Sequence, residues 1–279
     1  MEQEITVINS TEALSAVTSA EIDKQIATAH AYPRNIQACI KNINDLATMD
    51  EDTAQDCYYH LERRDKATGE VTVIEGPSIR LAEIVASQWG NLRIATRVVG
   101  NDGKMVTVEG VCHDLESNVA VSQQQVRSIV SKSGYTYSND MQVMTINAAS
   151  AIAVRNAINK VIPKTITNKV VEKCKAIVRG EGDAIRLAER RQNCVKKFAS
   201  IGVTSEMICQ KLGIASANDI NNDHIVRLVG IFNAIRDNAS SIDEEFPQHK
   251  AETQPLVNAR EAVARQLEKV AAKKEGTEA

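Results

Sequence analysis

The sequence predicts an α+β fold: an antiparallel β-hairpin sheet packed on a long helix (β-β-β-α), followed by a small C-terminal helical bundle. Three observations carry this reading. Short β-prone runs cluster between residues 57 and 130, a long Ala-rich stretch with helical spacing follows at 139–162, and the pattern is helical from Lys164 onward. The 279 residues suit one large domain plus a smaller one. A hydrophobic fraction of 43% with 25% charged residues excludes a disordered or fibrous class. Aromatics make up only 3%, so the core must be built largely from Ala, Val, Ile and Leu.

Taken in order, residues 18–31 and 34–48 carry Ile22, Ile26, Ile36, Ile40, Ile43 and Leu46 at helical spacing, with Pro33 breaking the run. The acidic cluster Asp50, Glu51 and Asp52 marks a boundary. CYYHLERR and EVTVIEG, joined by the polar turn DKATG, predict a hairpin. PSIRLAEIVASQWG predicts a helix with Pro77 near its start and Gly90 at its end. LRIATRVVG and KMVTVEGVCHD flank Asn101-Asp102-Gly103, a hairpin turn in which glycine supplies the positive φ. NVAVSQQQVRSIV adds a third strand, KSGYTYS turns the chain, and the long helix runs to Pro163. A basic helix at 165–179 ends at Gly180 and Gly182. Residues 184–238 form a helical bundle, and VNAREAVARQLEKVAAKK is an amphipathic tail helix after a polar linker.

Charge is unevenly spread. Residues 1–57 hold 3 Lys/Arg against 10 Asp/Glu, whereas residues 121–180 hold 9 against 2. A pI near 6.0 conceals this basic stretch, which suits either a solvated face or a phosphate backbone. No apolar run is long enough to span a bilayer, and the acidic start lacks the basic region of a signal peptide. The six cysteines contain no CxxC pair and read as reduced, mostly buried thiols of a cytoplasmic protein.

Motifs for catalysis are missing. There is no GxxxxGK[ST] loop, no GxGxxG after a strand and no GxSxG elbow, so neither an ATP-driven motor nor acyl transfer is expected. The best metal constellation is Glu109, His113, Asp114 and Glu116, and it supports a metal-dependent phosphodiesterase only as the weaker alternative. Cys112 and His113 are adjacent on a strand and so point to opposite faces. The expectation is a non-enzyme with no cofactor and no metal.

Binding chemistry is better represented. Arg63, Arg64 and Lys66 lie near the first hairpin turn, and Arg93 and Arg97 share one strand face. Arg127 and Lys132 precede Tyr135 and Tyr137, which either stack on bases or cap the sheet. The long helix ends in Arg155, Lys160 and Lys164. Arg155 stands at the margin of a tightly packed face and needs a partner, either Glu83 or a phosphate, and the local shortage of acids favours the phosphate. The expected DNA-binding set is Arg93, Arg97, Arg127, Lys132, Tyr135, Arg155, Lys160 and Lys164. The other class of reading is a structural or protein-interaction role for the basic core.

The hairpin-rich basic segment, the long helix ending RNAINKVIPK and the stretch EGPSIRLAEIVASQWGNLRIATRVVG together resemble phage single-strand annealing recombinases, the RecT, Redβ and Erf group. The resemblance covers roughly residues 55–180 and is one of pattern. It implies ATP-independent annealing of complementary DNA strands by a ring or helical oligomer in the bacterial host cytoplasm. It also implies a groove lined by strands, turn and helix, matched here by Arg93, Arg97, Arg127, Lys132, Arg155 and Lys160. The partners implied are single-stranded DNA, the annealed duplex intermediate, further copies of the chain, and a phage exonuclease or host single-strand binding protein. The segments are then 1–54, acidic and helical, suited to subunit contact; 55–180, the basic core; 181–247, a partner-binding bundle; and 248–279, linker and tail helix. The acidic N-terminal segment departs from the family pattern.

Overall fold

Pro33 divides the first two helices, as its locked φ and missing N–H require. Helix α1 (Ser10–Ala31) stops before it, and α2 (Ile36–Ala47) starts after it, capped by Asn35, whose side chain accepts the Ala38 N–H at 3.0 Å. In this computed structural model residues 10–65, 67–131, 134–180, 184–247 and 249 are described. The proposed tail helix lies outside them.

The acidic cluster at 50–52, read from the sequence as a boundary, opens a helix. Asp50 caps α3 (Glu51–Asp56), and the two following acids sit in its first turn, where the helix dipole favours negative charge. Strands β1 (Tyr58–Arg64) and β2 (Val71–Pro77) form a two-stranded sheet. Ser78 caps α4 (Ile79–Trp89), which ends at Gly90 with φ +68°, a conformation that favours glycine. Strands β3 (Leu92–Asn101), β4 (Met105–Asp114) and β5 (Val119–Ser128) form an antiparallel sheet in that order. Helix α5 (Asn139–Val161) packs across β4 and β5. Then come α6 (Lys164–Arg179), α7 (Ala184–Ala199), α8 (Ser205–Leu212), a 3-10 turn at Ala217–Asp219, α9 (Asn222–Arg236) and α10 (Ile242–Glu245). The protein is α+β.

Small residues set how closely α5 lies on the sheet. Val106 and Val108 pack with Ile129, Ala149 and Ile146. At Gly110 the helix backbone comes so near that a Cβ would stand 2.4 Å from the Ala153 carbonyl carbon and 2.5 Å from the Val154 nitrogen. No side chain fits there.

The chain packs as two compact units. The first comprises residues up to Tyr58 together with Pro77–Cys174; the second comprises Tyr59–Gly76 together with Lys175 and the helices after it. The boundary read from the sequence at 180/181 therefore does not coincide with the unit boundary, because the β1–β2 hairpin groups with the C-terminal helices. The physical reason is a partly buried ionic network within the second unit. Glu62 accepts from Arg227 Nε at 2.7 Å and pairs with Lys211 at 3.0 Å, and Lys211 also reaches the buried Glu245 at 3.0 Å. His60 lies between Glu62, at 3.1 Å, and Glu75, at 2.6 Å, and Glu75 pairs with Lys175 at 2.6 Å. Burial pulls the Glu62 carboxyl up, but the His60, Lys211 and Arg227 contacts outweigh it and hold it at about 2. Phe198 packs edge-to-face on Phe232 and Phe246, with centroids 5.6 and 5.5 Å apart. All three phenylalanines of this aromatic-poor chain thus serve one core.

Candidate nucleic-acid interface

Register decides which side each charged strand residue occupies, since directly paired residues project to the same face. Arg93 pairs with His113 and Arg97 with Glu109, whereas Arg127 pairs with Val106. Val106 belongs to the α5-facing set with Val108, Gly110 and Cys112, so Arg127 is on the helix side. Glu109 and His113 are odd-numbered on β4 and face away from α5, and so do Arg93 and Arg97. The even spacing of Arg93 and Arg97 does put them on one face, but it is the face opposite Arg127. These three arginines do not border one groove.

Arg97 is also engaged. Its Nε donates to Glu109 Oε2 at 2.5 Å, and Glu109 Oε1 accepts the Ser122 hydroxyl at 2.5 Å. The hydrogen bonds from Ser122 and Arg97 hold the Glu109 carboxyl below its usual range. Arg93 Nη1 reaches Gln25 Oε1 at 3.4 Å. Arg155 is only 7% exposed, and its guanidinium donates to Asn156 Oδ1 at 3.2 and 3.4 Å, so it stands within the packed layer rather than on a surface.

The remaining residues mark the two ends of α5. Tyr135 sits in the turn before the helix and is 77% exposed, with its N–H donated to Ser131 Oγ. Lys160 is exposed in the last turn of α5, and Lys164 is exposed at the start of α6. At about 1.5 Å per residue, the 23-residue helix separates these ends by roughly 33 Å. Lys132 lies outside the described residues. Sequence reasoning passed over Lys169 and Lys173, four residues apart on the outward face of α6. The signal was available as the basic helix at 165–179. Among the described residues Lys160, Lys164, Lys169 and Lys173 form no ion pair.

The four residues of the metal constellation are separated. Glu109 and His113 lie on one face of β4 and Asp114 on the other, and His113 Nε2 is 3.1 Å from Asn118 Oδ1. Asp114 and Glu116 are held by Arg34. Its guanidinium binds Asp114 through Nη1 and Nη2 at 2.6 and 2.5 Å and Glu116 Oε1 through Nε at 2.8 Å, while lying 5.1 Å above the Trp89 ring. Among the described residues no group of three or more His, Cys, Asp or Glu side chains is placed to hold a metal ion. No protein-family model, curated protein or solved structure matches this chain.

Arg34 is a further residue that sequence reasoning missed. It is one of only three basic residues in the first 57, directly after the helix-breaking Pro33. It ties the end of the three-stranded sheet to the N-terminal helices across 80 residues of sequence. Burial raises the Asp114 carboxyl, but the Arg34 contact overrides it and holds the group at about 2. Because this folded value lies below the ordinary one, the contact's stability is present above about pH 4 and is lost as pH falls toward 2. Arg34→Met leaves a buried carboxylate without its cation and is expected to cost about 3–5 kcal/mol. Urea midpoints measured from pH 7 to pH 2 check both points: Asp114→Asn should flatten the acid limb, and an unchanged limb would show that Asp114 does not control it.

Among the described residues no helix is long and apolar enough to cross a membrane.

Proposed function

We propose that the protein binds single-stranded DNA without sequence preference and promotes annealing of complementary strands without ATP, as part of phage-type recombination in a bacterial cytoplasm. The observation that carries this reading is the imbalance of engaged and unengaged charge in the first unit. The carboxylates Glu109, Asp114 and Glu116 are occupied by Arg97 and Arg34, whereas Lys160, Lys164, Lys169 and Lys173 are exposed with no ion pair among the described residues. An unneutralised basic surface attracts a phosphate backbone, and release of condensed counterions supplies affinity that does not depend on sequence. The exposed Tyr135 offers a ring on which a base can stack, a contact worth about 1–3 kcal/mol. The resemblance to annealing recombinases in residues 55–180 points the same way, and in this reading further copies of the chain complete the assembly.

The experiment is fluorescence anisotropy with single-stranded oligonucleotides at several salt concentrations, followed by annealing of two complementary labelled strands. Binding that weakens steeply with salt and annealing accelerated without nucleotide are the expected results. Binding that is absent at low salt, or annealing that requires ATP, refutes the proposal. Binding without annealing would leave a single-strand binding protein, and neither activity would favour the protein-interaction reading.

A further inference from the structure

Two thiols stand together where the chain leaves the first unit. Cys57 lies between α3 and β1, and Cys174 is the last residue of that unit, on α6. Both are fully buried and free. They share an acceptor: the Ala47 carbonyl oxygen is 3.4 Å from Cys174 Sγ and 3.8 Å from Cys57 Sγ, and Cys57 also reaches the Thr53 carbonyl at 3.2 Å. Sharing that acceptor, the two sulfur atoms also interact with each other. This contact, ahead of burial, pushes the Cys57 thiol above its ordinary range, and it outweighs burial to hold Cys174 below its own. The other buried thiols behave differently. Cys39 donates to the Trp89 carbonyl at 3.7 Å, and burial pushes Cys112 up to about 11 and Cys194 up to about 12.

We propose that Cys57 and Cys174 form a redox-sensitive dithiol that closes to a disulfide under hydrogen peroxide, tying α6 to the α3–β1 junction. The pairing joins the point where the chain departs for the hairpin to the point where it departs for the C-terminal helices. Cys174, as the thiolate, attacks one peroxide oxygen; the O–O bond breaks, and the departing oxygen leaves as water after taking up protons. The Cys174 sulfenic acid is then attacked by the Cys57 sulfur. The S–S bond forms, the S–O bond breaks, and the oxygen leaves as a second water carrying the Cys57 proton. Two thiols lose two electrons in all, and one peroxide is reduced to two waters. A thiol reductant reverses the change.

The bond closes a long loop, so it acts mainly by constraining the unfolded chain. The test treats the full-length protein with hydrogen peroxide, blocks remaining thiols with N-ethylmaleimide in denaturant, and digests it without reduction. Mass spectrometry is expected to find a Cys57–Cys174 linked peptide that disappears with dithiothreitol. The oxidised protein should melt roughly 5–10 °C above the reduced one, and Cys174→Ser should abolish both effects. Recovery of Cys57 and Cys174 as alkylated thiols overturns the proposal, as does linkage confined to other cysteines. A linked peptide with an unchanged melting midpoint overturns the tying role. The wild-type peptide map decides the pairing even where a serine variant fails to fold.

Discussion

Replacing Lys160, Lys164, Lys169 and Lys173 together by alanine is expected to lower the slope of log affinity against log salt by about 2.8, at roughly 0.7 for each single-strand phosphate that is no longer neutralised. Affinity near 0.1 M salt should fall about 100- to 1,000-fold, for all sequences alike. The four positions are exposed ends of long side chains, so folding is not at stake. Two comparisons give the measurement its meaning. Lys196→Ala removes an exposed charge from α7 of the second unit and should leave the slope unchanged. Arg190 and Arg191 are unsuitable for that purpose, because Arg191 Nε donates to the Ile220 carbonyl at 2.5 Å and Arg190 to the Arg179 carbonyl at 3.3 Å. Arg97→Ala should change the slope less than any one of the lysines, since its charge is already spent on Glu109. Equal losses from all these variants would mean diffuse attraction to the whole surface, and the localised interface would have to be given up.

Gly110→Val is expected to destabilise the first unit by at least about 3 kcal/mol, a fall of roughly 10 °C in its melting midpoint. The new side chain meets backbone atoms of Ala153 and Val154, not the far end of a flexible group, so α5 must lift off the sheet. Ala153→Gly therefore should not rescue the variant, because the obstacle is the carbonyl and not the Ala153 methyl. Thermal unfolding followed by circular dichroism checks both variants. A Gly110→Val protein that melts like the wild type would mean that α5 does not approach β4 at this distance.

The N-terminal acidic segment shows how much a local reading leaves open. Its helices and the break at Pro33 were legible, because proline chemistry and helical spacing act within a few residues. At residues 50–52 the run of acids marks a boundary in sequence, and the structure makes that boundary the capped first turn of α3. Arg34 carries no local mark of its role, since its carboxylates are 80 and 82 residues away.

The candidate site divides in the same way. The sequence determined the α+β class, the three antiparallel strands, the long helix and the glycine-bearing turn at 101–103, all of which rest on side-chain periodicity and turn conformation. It also determined that Arg93 and Arg97 share a face, because strand side chains alternate. It did not determine which face Arg127 takes, which depends on the pairing of β5 with β4 and on where α5 lies. Nor did it tell that Arg155, at the margin of an alanine-rich helix, would be packed inside while Lys160, five residues on, stays in water. The tertiary structure decided, too, that the hairpin at 59–76 belongs with the C-terminal helices, through ion pairs from Glu62 and Glu75 to Lys211, Arg227 and Lys175. Backbone conformation is set by neighbours in sequence, whereas the partner of a charge is set by neighbours in space, and only folding brings these together.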